Sequence, residues 1–196
     1  AGPSTAGRGQ VGLYHLAWQL DTIDKLAAAG PRTILLDVLM SEPANAADDN
    51  ALADAMRKSG AVFLPLNFHS PGSDGKAYDT EYPLPTLGAA AMGVGHVNIT
   101  FDNDGIVRRV NLCFASDDRR WPHLAELVYR NGSAPSRAFA RMPGCGQDLL
   151  LPYAPRDSYS EISFADALEG GIPEQLVKGR DIIIGATAAG MGDNYP

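Results

Sequence analysis

Thr33-Ile-Leu-Leu-Asp-Val-Leu-Met40 and Ala61-Val-Phe-Leu-Pro-Leu66 are two short runs, apolar at nearly every position, separated by one loop and one helix-length segment. Apolar residues at successive positions point to both faces of a strand, so each run reads as a strand covered on both sides. Ser41-Glu-Pro-Ala-Asn45 reads as the loop between them. Asp48 or Asp49 is expected to cap a helix that carries Leu52, Ala55 and Met56 and stops at Gly60. Upstream, Leu13, Leu16, Leu20, Ile23 and Ala27 fall at helical intervals, and Gly30-Pro31 closes that helix. Helix, strand, helix, strand at this spacing predicts βαβ units and a parallel sheet.

The chain ends in a third run of this kind, Arg180-Asp-Ile-Ile-Ile-Gly-Ala-Thr-Ala-Ala-Gly-Met-Gly-Asp193. Its three isoleucines predict a strand inside the sheet. The Gly, Ala and Thr that follow leave room for a ligand or another backbone at the carboxyl edge, where open α/β sheets place their sites. Between the second strand and this one, Val94 to Phe101 and Ile106 to Phe114 flank Asp102-Asn-Asp-Gly105 and predict an antiparallel hairpin. His69 to Tyr82 reads as a surface loop. Pro83 to Met92 and His123 to Arg130 read as short helices, Leu149 to Tyr153 as a strand. Ser163-Phe-Ala-Asp166 reads as a variant capping box, and a further helical piece follows Pro173. The expected fold class is α/β: a single domain with a mixed, mostly parallel sheet, helices on both faces and an antiparallel hairpin. Residues 1–11 are expected to be a flexible N-terminal segment and 12–196 the domain.

Length and composition fit one globular unit: 196 residues, 45% hydrophobic, 20% charged. A net charge of −7 and only brief basic pairs, Arg108-Arg109 and Arg119-Arg120, argue against nucleic acid as a partner. No stretch approaches the roughly 18 apolar residues of a membrane helix. The start at Ala1 and stop at Pro196 read as a fragment of a longer protein. Cys113 and Cys145 fit either a disulfide, in an oxidising compartment, or two free thiols.

Asp37 is the most conspicuous titratable residue, because a carboxylate amid Ile34 to Leu39 is costly to bury without a partner. It reads either as a ligand- or proton-binding group near a strand end or as a structural carboxylate. Glu42 and Asp193 are expected to join it at the carboxyl edge, with Thr187 in the small-residue tract. Three acids would suit a hard cation, but no spacing enforces that geometry and no metal is assigned. His96, with Asn98 beside it, is the pH-sensitive candidate or a packed core histidine. Gly-x-Ser-x-Gly is absent, and Gly185, Gly190 and Gly192 do not follow the dinucleotide spacing, so neither a triad hydrolase nor a nucleotide site is read here. Asp102-Asn-Asp-Gly105 lacks the closing Glu of a calcium loop and is explained by turn chemistry.

Gly30 to Pro43, Asp48-Asp-Asn-Ala-Leu52, Gly95-His-Val-Asn98, Asp104-Gly-Ile-Val-Arg-Arg109 and Ile184 to Asp193 occur in an order that resembles the second CHASE family, the cyclase/histidine-kinase-associated sensory extracellular domains. The resemblance covers roughly residues 12–196. It implies a non-catalytic, extracytoplasmic and periplasmic input domain. It also implies flanking membrane helices and a histidine kinase, adenylate cyclase or diguanylate cyclase as output. Members begin with an apolar strand ending in acids, where this chain has the polar Ala1 to Gln10. The expected partners are a small-molecule or environmental signal, the membrane through the flanking helices, and a second copy in a homodimer. No cofactor is expected. Asp37, Glu42, His96, Asn98, Thr187 and Asp193 are the candidate ligand-binding residues, and no catalytic residue is assigned. The competing readings are a periplasmic metal-assisted hydrolase using Asp37, Glu42, His96 and Asp193, and a protein-interaction module.

Overall fold

A computed structural model describes residues 19–69, 79–116, 119–132, 144–155 and 158–185. Helix α1 (residues 19–28) buries Gln19, Thr22, Ile23 and Leu26, one face at three- and four-residue steps. It turns at Gly30 into strand β1 (Thr33–Leu36). Helix α2 (Ala46–Ser59) then buries Leu52, Ala53, Ala55 and Met56. Its cap is Asn45 rather than either aspartate. The Asn45 Oδ1 accepts from the backbone N–H of Ala47 at 3.1 Å and of Asp48 at 2.9 Å. Asp48 and Asp49 instead occupy the first turn, where negative charge favours the helix dipole. Gly60 ends α2 at φ 61°, a left-handed conformation that costs glycine nothing.

Strand β2 (Val62–Phe68) is the centre of the molecule. It pairs in parallel with β1 on one side and with β4 (Gly93–His96) on the other. At its far end it pairs antiparallel with β3 (Thr80–Glu81). Beyond β1 lies β9 (Asp181–Ile184), also parallel, giving the order β4-β2-β1-β9 with β3 attached to β2. The βαβ expectation holds. Pro65 is tolerated in this central strand because the last β1 partner is Leu35, opposite Phe63. Its missing N–H therefore falls past the ladder.

Helices cover both faces. On one, Ile23 and Leu26 of α1, the buried face of α2, and Leu87 of helix α3 (Pro85–Gly88) pack on Ile34, Leu36, Val62 and Leu64. On the other lies α4 (Leu124–Gly132). There β4 presents glycine: a Cβ on Gly95 would stand 2.9 Å from the Leu124 backbone, so only a bare Cα permits this approach.

Beyond β4 the predicted hairpin across Asp102 to Gly105 shrinks to a single antiparallel bridge, Thr100 opposite Arg109. The parallel ladder with β2 takes up β4 instead. The antiparallel hairpin stands one step later, as β6 (Cys113–Ser116) with β7 (Arg119–Pro122). Strand β5 (Arg109–Asn111) pairs with β8 (Asp148–Leu150). Cys113 and Cys145 form a disulfide, joining the hairpin to the turn before β8. A loop of this length contributes roughly 3–4 kcal/mol in the chain-entropy account. The remaining helices are α5 (Phe164–Leu168), where Ser163 Oγ accepts from Asp166 N–H at 3.1 Å as the capping box predicts, and α6 (Glu174–Val177).

The placement of β9 corrects the sequence reading. Among the described residues it has one strand neighbour, and Ile183 is 71% exposed. Three isoleucines suit the outermost strand as well as an inner one, since Ile182 and Ile184 pack on the core while Ile183 faces outward.

Candidate functional site

The carboxyl edge of the sheet begins where β1 stops. Asp37 follows directly, its N–H donating to the Ile184 carbonyl at 2.8 Å, and its residue is exposed rather than buried. The expectation of an enclosed carboxylate is therefore corrected. The expected crevice beside it is present in outline: Gly185 follows β9, and a Cβ there would lie 3.7 Å from the Asp37 Cβ. Glu42 is also exposed, in the loop after β1. Next to it Ser41 donates to Glu81 Oε1 at 2.5 Å, tying that loop to β3. Thr187 and Asp193 lie outside the described residues.

His96 and Asn98 occupy different surroundings. Asn98 acts as a peptide substitute at the end of β2: its Oδ1 accepts from Phe68 N–H at 2.9 Å, and its Nδ2 donates to the Phe68 carbonyl at 2.6 Å and to Asn67 Oδ1 at 2.9 Å. These bonds hold β2 where it passes from parallel to antiparallel pairing, and they commit the amide to the scaffold. His96 is fully buried. Its ring lies 4.6 Å from that of Phe114 and 4.9 Å, edge to face, from that of His123. Burial, and then repulsion from His123, hold its pKa down to about 3. Burial alone lowers His123 to about 4. Both are neutral at ordinary pH.

Sequence reasoning read His123 only as a helix start. It is indeed the residue before α4, with Nδ1 accepting from Ala125 N–H at 3.1 Å and its carbonyl accepting from Glu126 and Leu127. Its pairing with His96, through a parallel bridge between two segments 27 positions apart, had no local signal.

The structure thus sets Asp37 beside Gly185, the start of the small-residue tract, leaves Glu42 exposed in the loop that leads to Glu81 of β3, and sets His96 and Asn98 inside the scaffold. A metal-assisted hydrolase needs His96 within reach of Asp37 and substrate, which full burial denies it. Among the described residues, no group of three or more His, Cys, Asp or Glu is placed to hold a metal. Asp102 and Asp104 are both occupied by Arg108, with Nη1 at 3.0 Å from Asp102 and Nη2 at 2.8 Å from Asp104. The Arg108 hydrogen bonds hold Asp104 below the usual carboxylate range, as turn chemistry with a basic clamp requires. Among the described residues no helix is long and apolar enough to cross a membrane.

The family model for the CHASE2 domain matches residues 19–196. No curated protein and no solved structure matches the chain.

Proposed function

The chain belongs to the CHASE2 family of extracellular sensory domains, and from that membership we propose that it is the periplasmic signal-input domain of a membrane-bound histidine kinase, adenylate cyclase or diguanylate cyclase. The family match over residues 19–196 carries the reading. The Cys113–Cys145 disulfide supports it, since such bonds persist in oxidising compartments.

The topology supplies a route for the signal. Helix α1 ends at the amino edge of the sheet, where Gly179 N–H donates to the Gly30 carbonyl at 2.8 Å. Strand β9 finishes at the carboxyl edge, where the Asp37 N–H donates to the Ile184 carbonyl at 2.8 Å. On this reading a ligand held beside Asp37 and Gly185 biases the relative arrangement of the chain's two ends. It transmits only insofar as it binds two arrangements of those ends with different affinity.

The test uses the whole membrane protein in vesicles. Asp37→Lys, an exposed charge reversal, is expected to shift the output activity several-fold at a temperature where circular dichroism shows the domain still folded. An output indifferent both to this substitution and to deletion of the domain overturns the input role. Turnover of ester or phosphate substrates that depends on added divalent metal and is lost in Asp37→Asn would establish the hydrolase reading instead.

A further inference from the structure

Among the described residues a second cluster of titratable groups, apart from the carboxyl edge, lies at the seam between β4 and the segment running from β7 into α4. There His96 is fully buried and His123 half-buried with its Nε2 enclosed. Gly95 lets the α4 backbone come against β4, and the next residue on each side of that contact is a histidine, His96 and His123. The two rings stand edge to face at 4.9 Å, with Phe114 at 4.6 Å from His96. Among the described residues neither nitrogen of His96 and not Nε2 of His123 has a hydrogen-bond partner. The remaining nitrogen, His123 Nδ1, already accepts a backbone N–H. An imidazolium carries two N–H donors and a charge. Here it would find no acceptor, a second imidazole, and an apolar wall.

Most charges on the surrounding elements are engaged elsewhere. On α4, Glu126 is buried and pairs with Arg130 through Oε1, while its buried Oε2 has no hydrogen-bond partner among the described residues. The lowered pKa values of the two rings come from burial and, at His96, from His123, with no part from Glu126. On β7, the Arg119 guanidinium lies 3.9 Å from the centre of the Trp121 ring, and Arg120 Nε is 3.4 Å from Cys113 Sγ. On β3, Glu81 pairs with Ser41 and the exposed His69. From β2 and β6 the pair meets the aromatic rings of Phe68 and Phe114.

We propose that His96 and His123 form an acid-release latch, closed while both rings are neutral, whose protonation parts the β7–α4 segment from the parallel sheet. The latch is independent of the carboxyl edge and of what output the domain controls. The sign follows from the depressed values of about 3 and about 4: the closed form excludes protons that the open form binds near the unperturbed value of roughly 6.5. Closure is at full strength above that value and weakens as pH falls through the window below it. With two protons taken up, the closed-to-open ratio falls up to about a hundredfold per pH unit.

Native-state hydrogen exchange of the 196-residue chain between pH 7.5 and 5 tests this. The amides of Trp121, His123 and Leu127 should lose protection steeply after correction for intrinsic exchange, while those of Leu52 and Met56 in α2 hold theirs. In the same samples the rings of His96 and His123 should not titrate. His96→Leu, which keeps the seam apolar, should flatten the slope to about tenfold per pH unit, since one histidine remains. Protection at α4 that is constant across the range, native rings of His96 and His123 that titrate near 6.5, or a folded His96→Leu chain with the full slope would each overturn the latch. Should that variant fail to fold, the wild-type exchange pattern and ring titrations decide alone.

Discussion

Strands β2 and β9 are both apolar through consecutive residues, yet they live in different environments. Strand β2 has parallel neighbours on both sides and helices on both faces, and Val62, Leu64 and Leu66 are fully buried. Among the described residues strand β9 pairs with β1 alone, and Ile183 is 71% exposed opposite the half-buried Leu35. Apolar content therefore says that a segment becomes a strand but not how deep it lies. The functional division follows the same line. The tightly covered side holds groups that must stay neutral or fully bonded, such as His96 and Asn98. The thinly covered side keeps Asp37 and Gly185 in reach of solvent.

Three substitutions sharpen that contrast, each measured by chemical denaturation. Ile34→Ala, at a fully buried position on β1, should cost about 3–4 kcal/mol, transfer and cavity terms together. Gly95→Ala should cost about 1–3 kcal/mol, because its Cβ meets backbone and not a flexible side chain. Ile183→Ser should stay within about 0.5 kcal/mol of wild type, as surface changes do. An Ile183→Ser cost matching that of Ile34→Ala would show that the outer face of β9 is covered in the folded chain, and the contrast would fail. A silent Gly95→Ala would mean that α4 can draw back from β4 at no expense, which would also weaken the case for a tight seam at His96 and His123.

Much of the fold was legible because it rests on local chemistry. The apolar intervals of α1, the stop at Gly60 and the Ser163 cap are all set by residues within one helical turn of the feature they create. The cap of α2 was misread for an equally local reason: Asn45, Asp48 and Asp49 are all good caps, and the backbone path selected the first. At the site, Asp37 was correctly placed at a strand end but wrongly assumed to be enclosed. Nothing in Ile34 to Leu39 reveals that β1 ends at Leu36 and leaves the next residue open. The predicted hairpin across Asp102 to Gly105 is reduced to the Thr100–Arg109 bridge, while β4 joins β2 and meets His123, 27 positions on, through a parallel bridge that no local pattern announces.

By itself the sequence determined the element types, the parallel βαβ core, the family and the acidic character of the chain, because periodicity, caps and motif order depend on neighbours along the chain. Only the tertiary structure decided which strand stands outermost, that Asn98 serves the backbone, and that His96 meets His123. Those outcomes depend on which surfaces compete for the same partner across long sequence separations, and desolvation, which sets the chemistry of a buried ring, exists only once those surfaces have closed.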